Sequence, residues 1–406
     1  MENSKTVKQA TAKKFDLGLL SVTALGIGSV VGAGIFALLG QVIMEAGSWT
    51  YLAFIIAGVA ALFSGYSYGE LAGRYPDSGG LTNYFHLAFP SKWMSGGMSL
   101  VYMLTSAVSI SMMAKSFGIY FVALLKNTDY SWITVNEFAA ALIICLAFLN
   151  MMSADDVGRT EILLVTVKVV ILTTLIGAAV FQEDLRMTNV MPEPAMLTFW
   201  GAIGVTFFAY AGYGVITNAA ADVQHPKSTI RLAIYITILA VMVLYIALAY
   251  VIVHYIPEAD LIRDADTAVA VAADKLLGKW GYGMIYVGAV MAFISGINAT
   301  FFSIFRISRS LAVQGVLPHF YRKKFWRRGT YGNVLSSTLI LLAAILMDFT
   351  SIVNLSSGAY LFSYLGIFAA NWHLRKETKS SPVMIILGFG LMLFILTAFL
   401  ASIVLS

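Results

Sequence analysis

The sequence predicts an all-α integral membrane protein, and its composition and apolar runs carry that prediction. Of its 406 residues, 59% are hydrophobic and 12% are charged, and the mean hydropathy is +0.82. A soluble domain carries roughly 25% charged residues. The chain therefore lacks the polar surface that water requires. Apolar runs of about 20 residues, the length of a membrane-spanning helix, recur along the whole sequence.

The apolar runs follow one another with mostly short connections after a tail at residues 1–16. The eleven expected spans are 17–43, 49–71, 94–125, 132–152, 159–181, 196–221, 230–256, 280–312, 333–348, 351–373 and 382–405. The third and eighth spans are long enough to tilt or to continue into water. Two linkers are longer, at 257–279 and 313–332, and the first is amphipathic enough to lie along the membrane surface.

The distribution of basic residues predicts the orientation of the chain. With the N-terminus in the cytoplasm, cytoplasmic segments hold nineteen Lys and Arg and external segments hold five. Cytoplasmic loops of membrane proteins carry this excess. The basic stretch "YRKKFWRR", 321–328, is expected to contact anionic lipid headgroups. The net charge of +5 therefore needs no nucleic-acid partner, and we expect a multi-pass protein of the cell membrane.

The first span contains the unusual stretch "GIGSVVGAGIF", 26–36, with four glycines in nine residues. Gly28 and Gly32 form a GxxxG pair, which allows two helices to approach closely. However, four glycines cost a helix about 3–4 kcal/mol relative to alanine, more than one packing face requires. We therefore predict an interruption of the helix. Its freed N–H groups, at a half-helix N-terminus, bind an anion such as a carboxylate.

The sixth span contains a second glycine-interrupted stretch, "FFAYAGYG", at 207–214. Two such spans at corresponding positions of two halves indicate the binding site of a transporter. Because five spans separate the two interruptions, topology is inverted between them. We predict inverted repeats at 17–181 (spans 1–5) and 196–373 (spans 6–10), with the eleventh span, 382–405, outside the repeat.

Four stretches of the chain, in order, resemble the amino acid–polyamine–organocation (APC) superfamily of permeases. They are "IGSVVGAGIF", "GELAGRYPDSGGLTNYF", "FFAYAGYGVITNAAADVQHPKSTI" and "NATFFSIFRISRSLAVQGVLPHF". The chain departs from the family pattern at Ala33 (often serine), Thr82 (often tyrosine) and Asp222 (usually glutamate). The resemblance implies a LeuT-like 5+5 inverted repeat with discontinuous helices 1 and 6. Spans 1, 2, 6 and 7 would rock against spans 3, 4, 8 and 9 to give alternating access.

The resemblance also implies a substrate site made of main-chain groups. The amides of Gly32, Ala33 and Gly34 would hold the carboxylate of an amino acid, and carbonyls near Ile27 and of Phe208 and Ala211 would meet its ammonium. The full set expected at the substrate is Ile27, Gly28, Gly32, Ala33, Gly34, Phe208, Ala211 and Tyr213. The pattern fits Phe208 and Tyr213 equally well as core aromatic residues at helical spacing.

Lys168 is the sharpest single candidate. It lies ten residues after Gly158, about 15 Å along a helix and thus near the middle of the hydrocarbon layer. A lysine there costs about 2.5–3.5 kcal/mol, so such a residue is paired or functional. The resemblance places it on a fifth-span lysine that substitutes for a sodium ion. Its partners would be the carbonyl near Gly28 and the side chain of Ser295.

This reading of Lys168 predicts transport without sodium. The residue either carries a coupled proton or remains a fixed charge in an exchanger. A second intramembrane lysine, Lys115, either pairs with a carbonyl or reaches a water-filled vestibule. At the cytoplasmic end of the second span, Glu70 and Arg74 are spaced as an i,i+4 pair, which stabilises a helix by about 0.2–0.5 kcal/mol. The resemblance implies that they also act in a gate.

The acidic residues predict the class of substrate, because none lies in the middle of spans 1, 3, 6, 8 or 10. A cationic side chain usually requires a carboxylate or an aromatic cage. We therefore expect neutral L-amino acids. A polyamine or cationic amino acid exchanger, and a nontransporting sensor of the same fold, remain alternatives. No catalytic cluster, metal spacing or phosphate-binding loop appears, so we expect no enzyme, cofactor or metal, and transport driven by a proton gradient or by exchange.

Overall fold

The computed structural model describes residues 17–77, 79–124, 132–152, 157–181, 191–327 and 329–405, where the chain is almost entirely helical. The predicted tail at 1–16 lies outside these residues. The helices are α1 (Leu19–Ala46), α2 (Thr50–Arg74), α3 (Gly80–Ala88), α4 (Lys92–Leu124), α5 (Trp132–Met152), α6 (Val157–Phe181), α7 (Met196–Tyr210), α8 (Pro226–Tyr255), α9 (Glu258–Arg263), α10 (Ala268–Val313), α11 (Tyr331–Leu346), α12 (Phe349–His373), α13 (Arg375–Thr378) and α14 (Pro382–Leu405). Two short strands, β1 (Lys324–Trp326) and β2 (Gly329–Thr330), pair antiparallel.

Each of the eleven predicted spans falls on a helix. Nine helical segments of the described chain are long and apolar enough to cross a membrane. One of these segments, Gly34–Arg74, takes in parts of both the first and the second predicted spans. A further apolar helix, Tyr331–Leu346, is shorter. The eleven predicted spans exceed the nine segments by two. The first and second predicted spans share one segment, and the ninth predicted span, on α11, is short for the hydrocarbon layer.

The helices pack in the pairs that two related halves would produce. α1 packs against α7, α2 against α8, α4 against α10 and α5 against α11. The cross pairs also match, because α1 packs on α8 and α2 packs on α7. Each of the first four spans therefore packs against the span five positions later in the chain.

The interruption predicted in the sixth span is present. α7 ends at Tyr210, Gly212 takes φ +132° and ψ −29°, and a separate 3₁₀ helix runs over Tyr213–Asp222. The positive φ at Gly212 lies in a region that L side chains rarely adopt. The chain therefore leaves the helix at Gly212, because glycine readily adopts the positive φ of the break.

The interruption predicted in the first span is absent, because α1 is one helix from Leu19 to Ala46. Its glycines serve close packing instead. A Cβ atom at Gly34 would overlap the carbonyl oxygen of Ala209 in α7, and one at Gly26 would overlap the side chain of Ile216. Close approach of this kind is the role of small residues in membrane helices. Tertiary packing offsets the helical cost of these glycines, about 1 kcal/mol each.

The long linker after α8 is helical, as its amphipathic pattern suggests. It contains α9, a short 3₁₀ turn at Ala265–Thr267 and the start of α10, which kinks at Gly278 (φ +63°). Asp260 pairs with Lys275 at 2.8 Å and with Arg263 at 3.1 Å. The hydrogen bond from Lys275 lowers the pKa of the Asp260 carboxyl below its usual value. These pairs fasten α9 to the first turns of α10.

Candidate functional site

A cavity lies beside the end of α7, enclosed by five helices and the segment after the break. Its wall comprises Ser29, Gly34 and Leu38 of α1, Tyr102, Ser106, Ser109, Met112 and Met113 of α4, Phe208, Ala211, Gly212, Gly214 and Val215 at the break, Gly296, Ala299, Thr300 and Ser303 of α10, and Tyr360 and Tyr364 of α12. The space that the centre of a water molecule can reach is about 60 Å³.

The break exposes main-chain groups to this cavity. The amide of Ala211 donates to the carbonyl of Phe208 at 2.9 Å, which closes the last turn of α7. At Gly212, a Cβ atom would lie 3.1 Å from the backbone of Ser29 in α1. The first N–H groups of any helix have no partner within it. The amides that begin the 3₁₀ helix after Gly212 are therefore available at the point where the broken span meets α1.

The glycine-rich part of α1 contributes Gly34 to the wall. Gly32 and Ala33 are helical, but the positions of their side chains lie outside the described structure. In the described chain, Gly28 is buried and Ile27 is partly buried, and neither belongs to the cavity wall. Of the substrate candidates, the structure thus brings Gly34, Phe208 and Ala211 together.

The α4 and α10 sides of the cavity carry hydroxyl groups that the sequence analysis did not predict. Ser106 and Ser109 come from α4, and Thr300 and Ser303 come from α10. In each helix the polar residues and their small neighbours recur at intervals of three or four, which places them on one face. That spacing in two otherwise apolar helices is the signal in the sequence, but only the fold brings the two faces together.

Aromatic side chains close the cavity on the α12 side. The ring of Phe208 stacks on that of Tyr360, with centroids 5.0 Å apart. Tyr213 is fully buried and lies outside the wall: its hydroxyl is 2.5 Å from that of Ser64, and its ring meets the ring of Tyr364 at 5.7 Å. Of the two aromatic candidates, only Phe208 faces the cavity.

Lys168 and Ser295 lie together, although they are 127 residues apart in the chain. The ammonium Nζ of Lys168 donates to the hydroxyl of Ser295 at 3.2 Å, and both side chains are buried. α6, which carries Lys168, packs against both α1 and α10. Lys168 therefore sits at a junction between the first span and the eighth.

Lys115 pairs with a carbonyl, one of the two possibilities that the sequence leaves open. Its ammonium donates to the backbone oxygen of Met347, just after the end of α11, and the residue is 4% exposed. The carboxylate of Asp348, which caps α12, lies nearby. Lys115 thus satisfies a helix terminus at the junction of α11 and α12.

Replacing Lys115 by methionine is expected to destabilise the protein by about 1.5–3 kcal/mol, because the charge-assisted hydrogen bond to the carbonyl of Met347 is lost. Substrate affinity should not change, since Lys115 lies outside the cavity wall. Thermal unfolding in detergent checks the first expectation and ligand titration checks the second. Lys92→Met, at an exposed position of the same helix, is the matched control. Equal unfolding temperatures for the two variants would contradict the role assigned to Lys115.

The pair predicted between Glu70 and Arg74 is replaced by a pair between helices. The Glu70 carboxylate is buried and accepts from Arg231 of α8 at 2.9 Å. The Arg74 guanidinium lies 5.6 Å from the centre of the Tyr75 ring. Because the Glu70 carboxylate is buried, it requires a charge-assisted hydrogen bond, and Arg231 on the neighbouring helix donates one. The ion pair ties the C-terminal end of α2 to the start of α8.

The apolar helices and the enclosed cavity beside a broken helix define a multi-pass membrane protein of the transporter class. The chain belongs to the amino acid permease family of the APC superfamily, whose model matches residues 17–406. It is a transport protein rather than an enzyme. Among the described residues, no three His, Cys, Asp or Glu side chains form a possible metal site.

Three relatives indicate the range of this family. The chain is 38% identical to the inner membrane transport protein YbaT of Escherichia coli K12, over 95% of this chain and 90% of that protein. It is 26% identical to the branched-chain amino acid permease BcaP of Bacillus subtilis, over 91% and 83%. It is 24% identical to the serine/threonine exchanger SteT of the same organism, over 90% and 84%.

Proposed function

We propose that the protein moves neutral L-amino acids across the membrane by alternating access, without sodium. The observation that carries the proposal is the cavity beside the break of α7. Main-chain groups of Ala211 and Gly212 and the face of α1 bound one side of it, and uncharged side chains bound the other. Dipoles of the main chain suit the carboxylate and the ammonium of a zwitterion.

The uncharged wall supports a neutral side chain over a cationic one. Among the described residues that line the cavity, none is acidic or basic. A guanidinium or a second ammonium placed there would lose its hydration without gaining a counter-ion, and contact with the aromatic rings of the wall offsets only part of that cost. Substrates with an uncharged side chain avoid that cost.

Competition in proteoliposomes tests the proposed substrate class. With purified protein and labelled L-alanine in counterflow, excess unlabelled alanine, leucine or methionine should reduce the signal, and arginine should leave it within about twofold of the control. Replacing sodium by choline should leave the rate unchanged. Strong inhibition by arginine, with no inhibition by the neutral amino acids, would instead favour a cationic or polyamine exchanger. Binding without any counterflow would favour a nontransporting sensor.

We propose the roles of the main chain and of Lys168 on the same geometry. The amides that begin the 3₁₀ helix at Tyr213 receive the carboxylate beside Gly34. The amides of Gly32 and Ala33 lie inside the continuous α1 and join them only in a state in which that helix unwinds. The carbonyls at the end of α7 receive the ammonium. The buried Lys168, bound to Ser295, stands in for a sodium ion and supports either proton coupling or exchange.

The remaining proposals concern topology. Residues 17–181 and 196–373 form the two inverted repeats, which the packing of α1 on α7 and of α2 on α8 supports. The N-terminus lies in the cytoplasm, and the basic segment 321–328 contacts anionic headgroups there. The ion pair of Glu70 with Arg231 then lies on the cytoplasmic side, where Glu70 and Arg74 contribute to a gate.

A further inference from the structure

We infer that Tyr245 of α8 is a positioning residue for substrate binding. Its hydroxyl remains as a donor to the carbonyl of Val30 when the amide of Gly34 leaves that carbonyl for the carboxylate of the substrate. This inference rests on the proposed function, because it names the residue that allows α1 to contribute an amide to the same cavity. It is carried by a hydrogen bond between two helices, from the Tyr245 hydroxyl to the Val30 carbonyl at 3.0 Å.

The carbonyl of Val30 lies at the start of the glycine-rich turn of α1. In an α-helix the carbonyl of Val30 accepts from the amide of Gly34, and α1 is helical through both residues. Gly34 also belongs to the cavity wall. A carbonyl oxygen has two lone pairs and can accept a second donor. The Tyr245 hydroxyl is therefore the second donor to a carbonyl whose first donor belongs to a residue of the cavity wall.

The side chain of Tyr245 is held in place by aromatic residues of two other helices. It is fully buried, and its ring centroid lies 5.7 Å from that of Phe54 in α2 and 5.5 Å from that of Tyr210 at the end of α7. The main chain of Ile35, one residue past Gly34, also lies within hydrogen-bonding reach of the Tyr245 hydroxyl. The phenol therefore reaches the main chain of α1 both before and after Gly34.

The hydroxyl lowers the cost of opening α1 at this turn. An unpaired carbonyl is strongly unfavourable inside a membrane, because no water replaces the lost donor. That cost opposes any state in which the Gly34 amide turns from Val30 to a substrate. With the Tyr245 hydroxyl in place, the Val30 carbonyl retains one donor in such a state. Gly32 and Gly34 make the same stretch the easiest part of α1 to unwind, because glycine is a poor helix former.

A second phenol makes the same kind of bond to α1 away from the cavity wall. Tyr120 of α4 donates to the carbonyl of Phe36 at 2.9 Å. The donor to that carbonyl within the helix is the amide of Gly40. Gly40 lies outside the cavity wall, and a Cβ atom there would overlap the carbonyl oxygen of Ala265. The Tyr120 bond therefore offers a matched comparison, because its loss affects no amide of the cavity wall.

The experiment compares Tyr245→Phe with Tyr120→Phe in proteoliposomes. Each variant loses one hydroxyl and keeps its ring. The half-saturating concentration of L-alanine is measured from the concentration dependence of labelled counterflow. We expect it to rise about 5–10-fold in Tyr245→Phe and to stay within about twofold of the wild type in Tyr120→Phe, because one net hydrogen bond changes an equilibrium by about 2–10-fold.

Amide hydrogen exchange distinguishes positioning from simple stabilisation. Both variants should unfold at a lower temperature than the wild type, because each loses a buried hydrogen bond. A purely structural loss makes nearby amides exchange faster, since exchange follows local opening. The inference requires the opposite for residues 31–35 in Tyr245→Phe, because opening that stretch now leaves the Val30 carbonyl unpaired. We therefore expect these amides to exchange more slowly in Tyr245→Phe than in the wild type, and no more slowly in Tyr120→Phe.

The outcomes separate the inference from the proposed function. Equal half-saturating concentrations for the two variants, with alanine counterflow intact, overturn the inference and leave the transport of neutral amino acids standing. Faster exchange of residues 31–35 in Tyr245→Phe also overturns it, because the hydroxyl would then only stabilise the closed helix. Absence of counterflow for every amino acid in the wild-type protein overturns both.

Discussion

Lys168→Ala is expected to lower the transport rate by roughly 10- to 100-fold. The Lys168 side chain is buried, and its ammonium donates to Ser295 across the interface between α6 and α10. A hydrogen bond to a charged group contributes about 1.5–3 kcal/mol, and each 1.4 kcal/mol corresponds to about tenfold in an equilibrium constant. We expect this free energy to hold α1 and α10 in a transport-competent arrangement, so its loss lowers the rate by one to two orders of magnitude.

Two further variants give the result a definite meaning. Thr173→Val changes an exposed residue of the same helix and should transport at the wild-type rate. Lys168→Arg keeps a permanent charge, because arginine does not lose its proton in proteins. If Lys168 is a fixed charge, Lys168→Arg retains part of the exchange activity. If it carries the proton, the variant transports substrate without acidifying the vesicle lumen.

The measurement is labelled substrate flux with internal pH recorded in the same vesicles. Proton movement in step with substrate in the wild type, lost in both Lys168 variants, supports coupling through this residue. Flux without proton movement in the wild type supports exchange. Wild-type flux in Lys168→Ala would remove the residue from the mechanism altogether.

The sequence predicted the number and order of helices well, because hydropathy reports burial in lipid directly. It also predicted the break in the sixth span, where the positive φ of Gly212 is a local property that only glycine supplies easily. It did not predict that α1 would stay continuous. The glycines of α1 pack against Ala209 and Ile216, about 180 residues away in the chain, and no local pattern reports a partner so distant.

The candidate site shows the same difference between local signals in the sequence and contacts between distant residues. Lys168 and Ser295 were paired on the strength of family resemblance, and the structure places them in contact. The sequence does not single out the hydroxyl residues of the cavity, Ser106, Ser109, Thr300 and Ser303, although they share a helical face in each of two spans. Each set alone is typical of serine and threonine residues in a membrane helix, and only the packing of α4 on α10 brings the two sets together at the cavity. Glu70 was assigned its nearest basic neighbour, whereas Arg231 on α8 reaches it across the helix interface.

Gly34→Ala is expected to reduce transport at least tenfold and to lower the unfolding temperature, although alanine favours helix over glycine by about 1 kcal/mol. The added Cβ would overlap the carbonyl oxygen of Ala209 and would lie 2.9 Å from its Cα. Because these are main-chain atoms of α7, no rotamer change relieves the overlap, and the two helices must separate. Overpacking of this kind costs about 1–3 kcal/mol.

Gly177→Ala is the matched control, because it makes the identical change in α6 where no atom lies within 4 Å of the new Cβ. This variant should transport normally and unfold at an equal or higher temperature, since only helix propensity changes. Transport and thermal unfolding are measured on both variants. The comparison separates the effect of the close contact with Ala209 from the effect of helix propensity. Loss of transport in both variants would mean that the membrane helices tolerate no added methyl group. Wild-type behaviour of Gly34→Ala would mean that α1 and α7 do not approach as closely as described. We expect this difference between the two variants because Gly34 allows α1 to lie against the end of α7, where the cavity begins.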